Sequence, residues 1–324
     1  MSWLKSVSLS IMSRRRHLNM SYGGLSLIVL WILSVAASAS DFPAELTRFT
    51  PYEHNPVFVA AGEGHWDVRI RERGWIIHNA DAKPGQPGWH LWYTGYNGTR
   101  EGIKLLGYAT STDGLVWKRH PRNPVVADAW VEDMMIVRQS GTFFMFAEGR
   151  GDQAQLLRSE NGVEWTRVGT LDVRKKDGTP IEPGPYGTPT AWYEGGTWYL
   201  FYERRDLGVW LATSSDMKVW RNVQDEPVLV PGPDEFDVDL IAMNQIVKHD
   251  GQYYAYFHGS KSGSKLWACG VAVSDDLIHW KKHADNPLFP IADNKSSGIL
   301  IHDGKQFRLY TMHDRVDVHF PAER

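Results

Sequence analysis

Trp89-His90-Leu91-Trp92-Tyr93-Thr94-Gly95, followed by Gly107-Tyr108-Ala109-Thr110-Ser111-Thr112-Asp113-Gly114-Leu115-Val116-Trp117, is a phrase in two parts. An aromatic strand ends in a polar knot, and a Ser/Asp turn then leads into a single Trp. The knot returns at Phe146-Ala147-Glu148-Gly149, Phe201-Tyr202-Glu203-Arg204 and Tyr256-Phe257-His258-Gly259. The turn returns at Ser159-Glu160-Asn161 to Trp165, Ser214-Ser215-Asp216 to Trp220, and Ser274-Asp275-Asp276 to Trp280. A truncated fifth copy, Leu309-Tyr310-Thr311-Met312-His313, comes last. Short aromatic strands repeated every ~40–60 residues are the signature of a β-propeller.

Each repeat reads as strands bounded by turn residues. In the second, Asp133 to Arg138 is a strand, Ser140-Gly141 a hairpin turn, and Thr142 to Ala147 the next strand. Leu156 to Ser159 is a third strand, and Val163-Glu164-Trp165 opens a fourth beyond the Asn161-Gly162 turn. Matching hairpins fall at Gly195-Gly196, Asp250-Gly251 and Asp303-Gly304. The expectation is an all-β, five-bladed propeller with four-stranded antiparallel blades near residues 66–126, 132–172, 186–231, 239–290 and 296–320. The last lacks an outer strand. Asn55-Pro56-Val57-Phe58 matches the blade-ending Asn123-Pro124-Val125-Val126 and Asn286-Pro287-Leu288-Phe289, so this N-terminal segment is expected to close the ring. A two-sheet sandwich would not need such a repeat.

The first 40 residues are of another kind. Arg14-Arg15-Arg16 precede an apolar run from Leu25 to Ala37, and Ala37-Ser38-Ala39 offers small residues for cleavage near Ser40 or Asp41. That run is shorter than the roughly 18–20 residues a membrane span needs. The pattern reads as a signal peptide over 1–40, a mature domain over 41–324, and a periplasmic or secreted bacterial protein. A lone Cys269 allows no intrachain disulfide and no multi-Cys metal site. A formal charge of −3 leaves no nucleic-acid footprint, and no membrane partner is expected after cleavage. Fifteen Trp and thirteen Tyr suit β packing and stacking on sugar faces.

In a blade the first strand is innermost and the second runs antiparallel to it. The start of one and the end of the other therefore share a face beside the axis. Starts carry Glu132-Asp133, Gly187-Thr188-Pro189, Asp239 with Asn244, and Ser296-Ser297, and in the first blade Asp67 or Glu72 depending on register. Ends carry Thr94, Glu148, Glu203, His258 and His313. Carboxyls crowded into one mouth separate into acid and base, as glycosidic bond cleavage requires. Each has a plainer reading. These are an ion pair of Asp67 with Arg69 or Arg71, a turn cap for one of Glu132 and Asp133, ion pairs of Glu148 and Glu203 with the arginines that follow, and a satisfied core place for either His. No spacing suits a metal, so no cofactor is expected and a structural Ca²⁺ finds no support.

These phrases resemble the five-bladed propeller superfamily of glycoside hydrolase families 43, 32, 62, 68, 117 and 130, over nearly the whole mature chain. The resemblance implies an enzyme acting on oligosaccharides or polysaccharides. Against family 43, Asp67 is the nearest match to the general base. Asp133, preceded by Glu132, stands where an Asp tunes and orients the acid. The chain departs in the third blade, where Gly187 falls on the position of the acidic Glu. Glu203 is then the nearest donor, with His258 or His313 as rivals, since family 117 uses a His. The family-32 Asn-Asp-Pro-Asn and Glu-Cys phrases are absent, which argues against fructan hydrolysis. Family 130 implies a cationic phosphate pocket, for which Arg71, Arg73, Arg150, Arg204 and Arg205 are available. The expectation is an exported, inverting glycosidase for plant or algal oligosaccharides, with Asp67, Asp133 and Glu203 catalytic and Glu132, Glu148, Arg71, His258 and His313 binding substrate. A non-catalytic sugar-binding propeller and a sugar phosphorylase are the alternatives.

Overall fold

A computed structural model describes residues 42–83 and 85–322. The expected signal at 1–40 lies outside them. The regular structure of the described residues is nearly all strand, in five sheets. Blade I runs Arg69–His78, Trp89–Tyr96, Leu105–Ser111 and Lys118–Arg119, and blade II Glu132–Gln139, Thr142–Gly149, Gln153–Ser159 and Thr166–Thr170. Blade III holds Gly187–Glu194, Thr197–Glu203, Val209–Ser214 and Val219–Asn222, and blade IV Leu240–His249, Gln252–Ser260, Ala268–Ser274 and Lys281–Lys282. Blade V is built on Ile299–His302, Phe307–Met312 and Arg315–Pro321. The inner strands pack side by side in turn, and the fifth touches the first.

Two blades depart from four antiparallel strands. Asp172–Arg174, which begins where blade II was expected to end, pairs in parallel with Val219–Asn222 and gives blade III a fifth strand. The reason is alternation: Leu171 and Val173 are buried, and Leu171 N–H still reaches back to the Ala154 carbonyl in blade II at 2.9 Å. In blade V, Phe49–Pro51 and Phe58–Val59 pair antiparallel with Arg315–Pro321. Between them the Asn55 amide brackets Val318, accepting its N–H and donating to its carbonyl, each at 2.8 Å. Asn123 brackets Tyr108, and Asn286 Val271, in the same way. The Asn-Pro phrase is thus a clip that satisfies backbone groups beyond the strand ladder.

The Ser/Asp turns work by a shared device. Ser111 Oγ accepts the Gly114 N–H at 2.9 Å, while Asp113 Oδ1 accepts those of Leu115 and Val116 at 2.8 and 2.9 Å. Asn161 and Asp276 repeat it. The turns of blades II, III and IV set Trp165, Trp220 and Trp280 against Trp92, Phe146 and Phe201 of the preceding blade, and Trp220 is completely buried. Blade I is tied to blade II by the Trp92 indole N–H, which donates to the Gly162 carbonyl at 2.7 Å.

The inner strands are not regular. Their register with the second strand slips between Arg71 and Trp75, Glu132 and Met135, Gly187 and Thr190, and Met243 and Gln245. Three of these slips, and the start of blade V, hold a left-handed residue: Glu72, Asp133, Thr188 and Ser297, with φ of 54°, 44°, 42° and 50°. Such a conformation costs a non-glycine residue about 1–2 kcal/mol. Bulges of this kind re-aim side chains, and all four residues line one axial cavity.

Arg73, fully buried, pins the axis below that cavity. Its guanidinium donates to Thr190 Oγ1 at 2.6 Å and to the carbonyls of Met243, Asn244, Asp133 and Pro189 at 3.0, 3.0, 2.5 and 2.8 Å. One side chain from blade I thereby joins blades II, III and IV.

Candidate active site

The cavity over this pin has a volume of about 720 Å³. Six carboxylates from blades I to III and their loops face it, namely Glu72, Glu132, Asp133, Glu148, Asp152 and Glu203, and Asp206 makes a seventh. Arg71, Arg100, Lys104 and Arg205 bring positive charge, and Trp130 and Trp267 bring indole faces. His258 and Ser296-Ser297 complete the far wall.

Glu72 stands at the join of blades I and V. Arg71 Nη2 lies 2.5 Å from its Oε1, and His313 Nδ1 lies 3.6 Å from its Oε2. Burial by itself would raise this carboxyl. The nearby His313 ring and the charge of Arg71 outweigh it and hold Glu72 at about 2. The His313 ring is raised in turn, chiefly by that same contact. Arg71 also reaches Glu132 Oε1 at 2.7 Å, and the Trp130 indole donates to Glu132 Oε2 at 2.9 Å.

The neighbouring acids are pushed the other way. Burial, then the charges of Glu72 and Glu132, raise Asp133 well above the usual carboxylate range. Burial and Asp133 do the same to Glu148. Glu203 is raised mainly by burial, although Oε1 accepts the Gly187 N–H at 2.9 Å and Oε2 the Asp206 N–H at 2.6 Å. Asp206 is pushed up to about 7 by burial and the charge of Glu203. One cavity therefore holds a carboxyl lowered to about 2 beside others pushed upward, Asp206 to about 7.

The raised Asp206 has a stability consequence. Its folded form holds a proton more tightly than the unfolded chain, whose carboxyl titrates near 3.8. The stability it contributes is complete below that value and is lost as pH climbs through about 7. Asp206→Asn is therefore expected to gain thermal stability over wild type between pH 4 and pH 8. Melting curves at the two pH values test this, and a difference that does not change with pH rejects it.

Not every residue expected at the mouth is there. Asp67, expected as the general base at this mouth, instead lies outside the cavity and is 1% exposed. Its Oδ2 is held by Arg119 Nε at 3.1 Å and by the Tyr93 hydroxyl at 3.2 Å, both within blade I. The slip after Arg71 delivers Glu72 to the axis instead. Thr94 is likewise absent from the cavity, donating to the Val131 carbonyl at 3.2 Å. Arg73 is spent on the axis, and Arg204 on the carbonyls of Glu182, Pro183 and Pro185 rather than on Glu203. Arg150 stacks over Trp130 at 5.7 Å.

The structure does bring Arg71, Glu132, Asp133, Glu148, Glu203 and His258 to one cavity, with His313 touching Glu72 at its edge. His258 Nδ1 is engaged by Asn244 Oδ1 at 2.6 Å, and burial lowers the ring to about 3, so it is neutral. Arg100, Lys104, Trp130, Asp152, Asp206 and Trp267 escaped sequence reasoning because they sit on connections that have no repeat. The one available signal was position: Trp130 stands two residues before an inner strand, and Asp152 and Asp206 follow the second strands.

No protein-family model matches the chain. A 1,2-beta-oligomannan phosphorylase of Thermoanaerobacter is 29% identical over 188 residues, 53% of this chain and 58% of that protein. The match thus spans less than two thirds of that relative's length. A glycosyl hydrolase from Bacteroides ovatus superposes with a TM-score of 0.68 at 18% identity, covering 85% of this chain and 95% of that one. A beta-1,2-mannobiose phosphorylase from Listeria innocua, in complex with beta-1,2-mannobiose, superposes with a TM-score of 0.60 at 13% identity, covering 84% and 96%. The chain has the five-bladed propeller fold of the glycoside hydrolases and mannoside phosphorylases it resembles.

Proposed function

We propose that the protein cleaves glycosidic bonds of an oligosaccharide bound in the axial cavity, by acid–base chemistry in a single displacement with inversion. The observation that carries this is the split of carboxyls, with Glu72 held ionised at about 2 while Asp133, Glu148 and Glu203 are raised. Glu72 takes a proton from the attacking water. Glu203 gives one to the leaving glycosidic oxygen, and Asp133, between them in the blade order, sets charge and orientation. Trp130 and Trp267 offer faces for the sugar rings. His258, neutral and tied to Asn244, serves as a hydrogen-bond partner for sugar hydroxyls. We further infer export, since residues 1–40 carry a signal pattern. Mass analysis of the mature N-terminus tests that, with a start near Ser40 or Asp41 expected.

Phosphorolysis is the second reading. Arg71, Arg100, Lys104 and Arg205 line the same cavity and suit a phosphate nucleophile, and the Thermoanaerobacter relative is named a phosphorylase. The test is a panel of plant and algal oligosaccharides and beta-1,2-mannosides, each with and without phosphate, with the product anomer read by NMR. Turnover in water with inverted product supports the hydrolase. Turnover that needs phosphate and yields a sugar 1-phosphate replaces it with the phosphorylase. Binding without any cleavage makes the protein a sugar-binding propeller.

A further inference from the structure

Gly187 occupies the position from which an acidic side chain was expected to enter the site. A Cβ built there would stand 2.3 Å from Glu148 Oε2 and 2.6 Å from Glu203 Oε1. The space is therefore already filled, from two sides, by carboxylate oxygens of blades II and III. The same two oxygens are held by consecutive backbone donors: Gly187 N–H on Glu203 Oε1 at 2.9 Å, and Thr188 N–H on Glu148 Oε2 at 3.1 Å. Thr188 adopts φ of 42°, and this left-handed turn aims both N–H groups into one concavity. Glu148 is 8% exposed and Glu203 5%, so water does little to screen one from the other.

We propose that Glu148 and Glu203 form a carboxyl–carboxylate pair sharing one proton across Gly187, with Glu148 the positioning residue that keeps Glu203 protonated. This rests on the reading of Glu203 as proton donor. The two oxygens border one point and so lie within about 5 Å of each other; both ionised in a buried site they repel, whereas one proton held by the pair removes that repulsion. The backbone N–H groups take one lone pair on each oxygen and leave another for that proton. The surroundings favour retaining it. Glu132 and Asp133 face Glu148 from the inner strand of blade II, and Asp152 and Asp206 face Glu203 from the loops, against the cations Arg73 and Arg204. When the leaving oxygen takes the proton from Glu203, the pair is left doubly charged and regains a proton from water. Gly187 is essential to this arrangement because any side chain would part the two oxygens.

The test has two independent readouts. Carboxyl titration of ¹³C-Glu-labelled protein without substrate is expected to show Glu203 titrating above the ordinary range. In Glu148→Gln that titration should move down by on the order of one pH unit, and Gly187→Ala should uncouple the pair similarly. The alkaline limb of kcat/KM should shift to lower pH in Glu148→Gln and return toward wild type in Glu148→Asp. If Glu203 titrates unchanged in both Glu148→Gln and Gly187→Ala, with each variant folded by circular dichroism, the pair does not exist. If the titration moves while the pH–rate limb stays put, the pair stands and Glu203 as proton donor falls.

Discussion

Glu72→Gln is expected to fold, to bind the sugar, and to lose about 10²–10⁴-fold in kcat for hydrolysis, the usual worth of a general base. Glutamine keeps the shape of the side chain and loses the proton-accepting charge that Arg71 and His313 hold in place. Asp67→Asn is the paired control. Its carboxylate belongs to Arg119 and Tyr93 outside the cavity, so kcat should stay within a few-fold while thermal stability falls. The opposite ranking, with Asp67→Asn dead and Glu72→Gln active, restores Asp67 as the base and sinks this reading. A second signature follows from linkage. Because Glu72 is held at about 2, below the 4.5 of a free side chain, its contribution to stability is present above 4.5 and is lost as pH falls toward about 2. The stability gap between wild type and Glu72→Gln should therefore close over that acidic window, as denaturation followed at pH 6 and pH 3 will show.

Arg73→Met is expected to cost about 3–5 kcal/mol, the range for stripping a buried charge from its partners. Methionine fills much of the volume, so the loss is chiefly polar. Four carbonyls and the Thr190 hydroxyl, drawn from blades II, III and IV, would lose the guanidinium at the axis, and the Met243 carbonyl alone of the four keeps a side-chain donor, the Thr190 hydroxyl at 2.7 Å. Each buried acceptor left unpaired costs about 1–3 kcal/mol, with entering water offsetting part of it. Urea unfolding measures this directly, and a loss below about 1 kcal/mol would show that the pin is replaceable. Activity should fall as well, because the carbonyl of Asp133, a residue that lines the cavity, is one of the acceptors the guanidinium holds.

The blades were legible because their cause is local. Alternating apolar residues, Gly hairpins and the Ser/Asp turn act over a few residues and recur, so comparing copies locates each strand. The cavity's place followed from hairpin direction, and Glu132, Asp133, Glu148, Glu203 and His258 do meet there. What went unread depended on register and on unrepeated loops. Asp67 and Glu72 both head an inner strand in sequence. The choice between them turns on a slip between Arg71 and Trp75 that hydrophobic pattern does not mark. The strand Asp172–Arg174 went unread because its parallel partner, which begins at Val219, leaves no local trace. The cations Arg100 and Lys104 lie on a connection of blade I, where no other copy offers comparison.

By itself the sequence determined a ring of five aromatic hairpin blades and one face on which polar strand ends gather. Short-range patterning suffices for that, since each blade repeats the same local solution. Tertiary structure alone decided which carboxylates meet and how they are charged. Glu72 is ionised because blade V brings His313 to it, and Glu148 and Glu203 converge because Gly187 has no side chain to part them. Charge state depends on distances across the axis, between residues far apart in the chain.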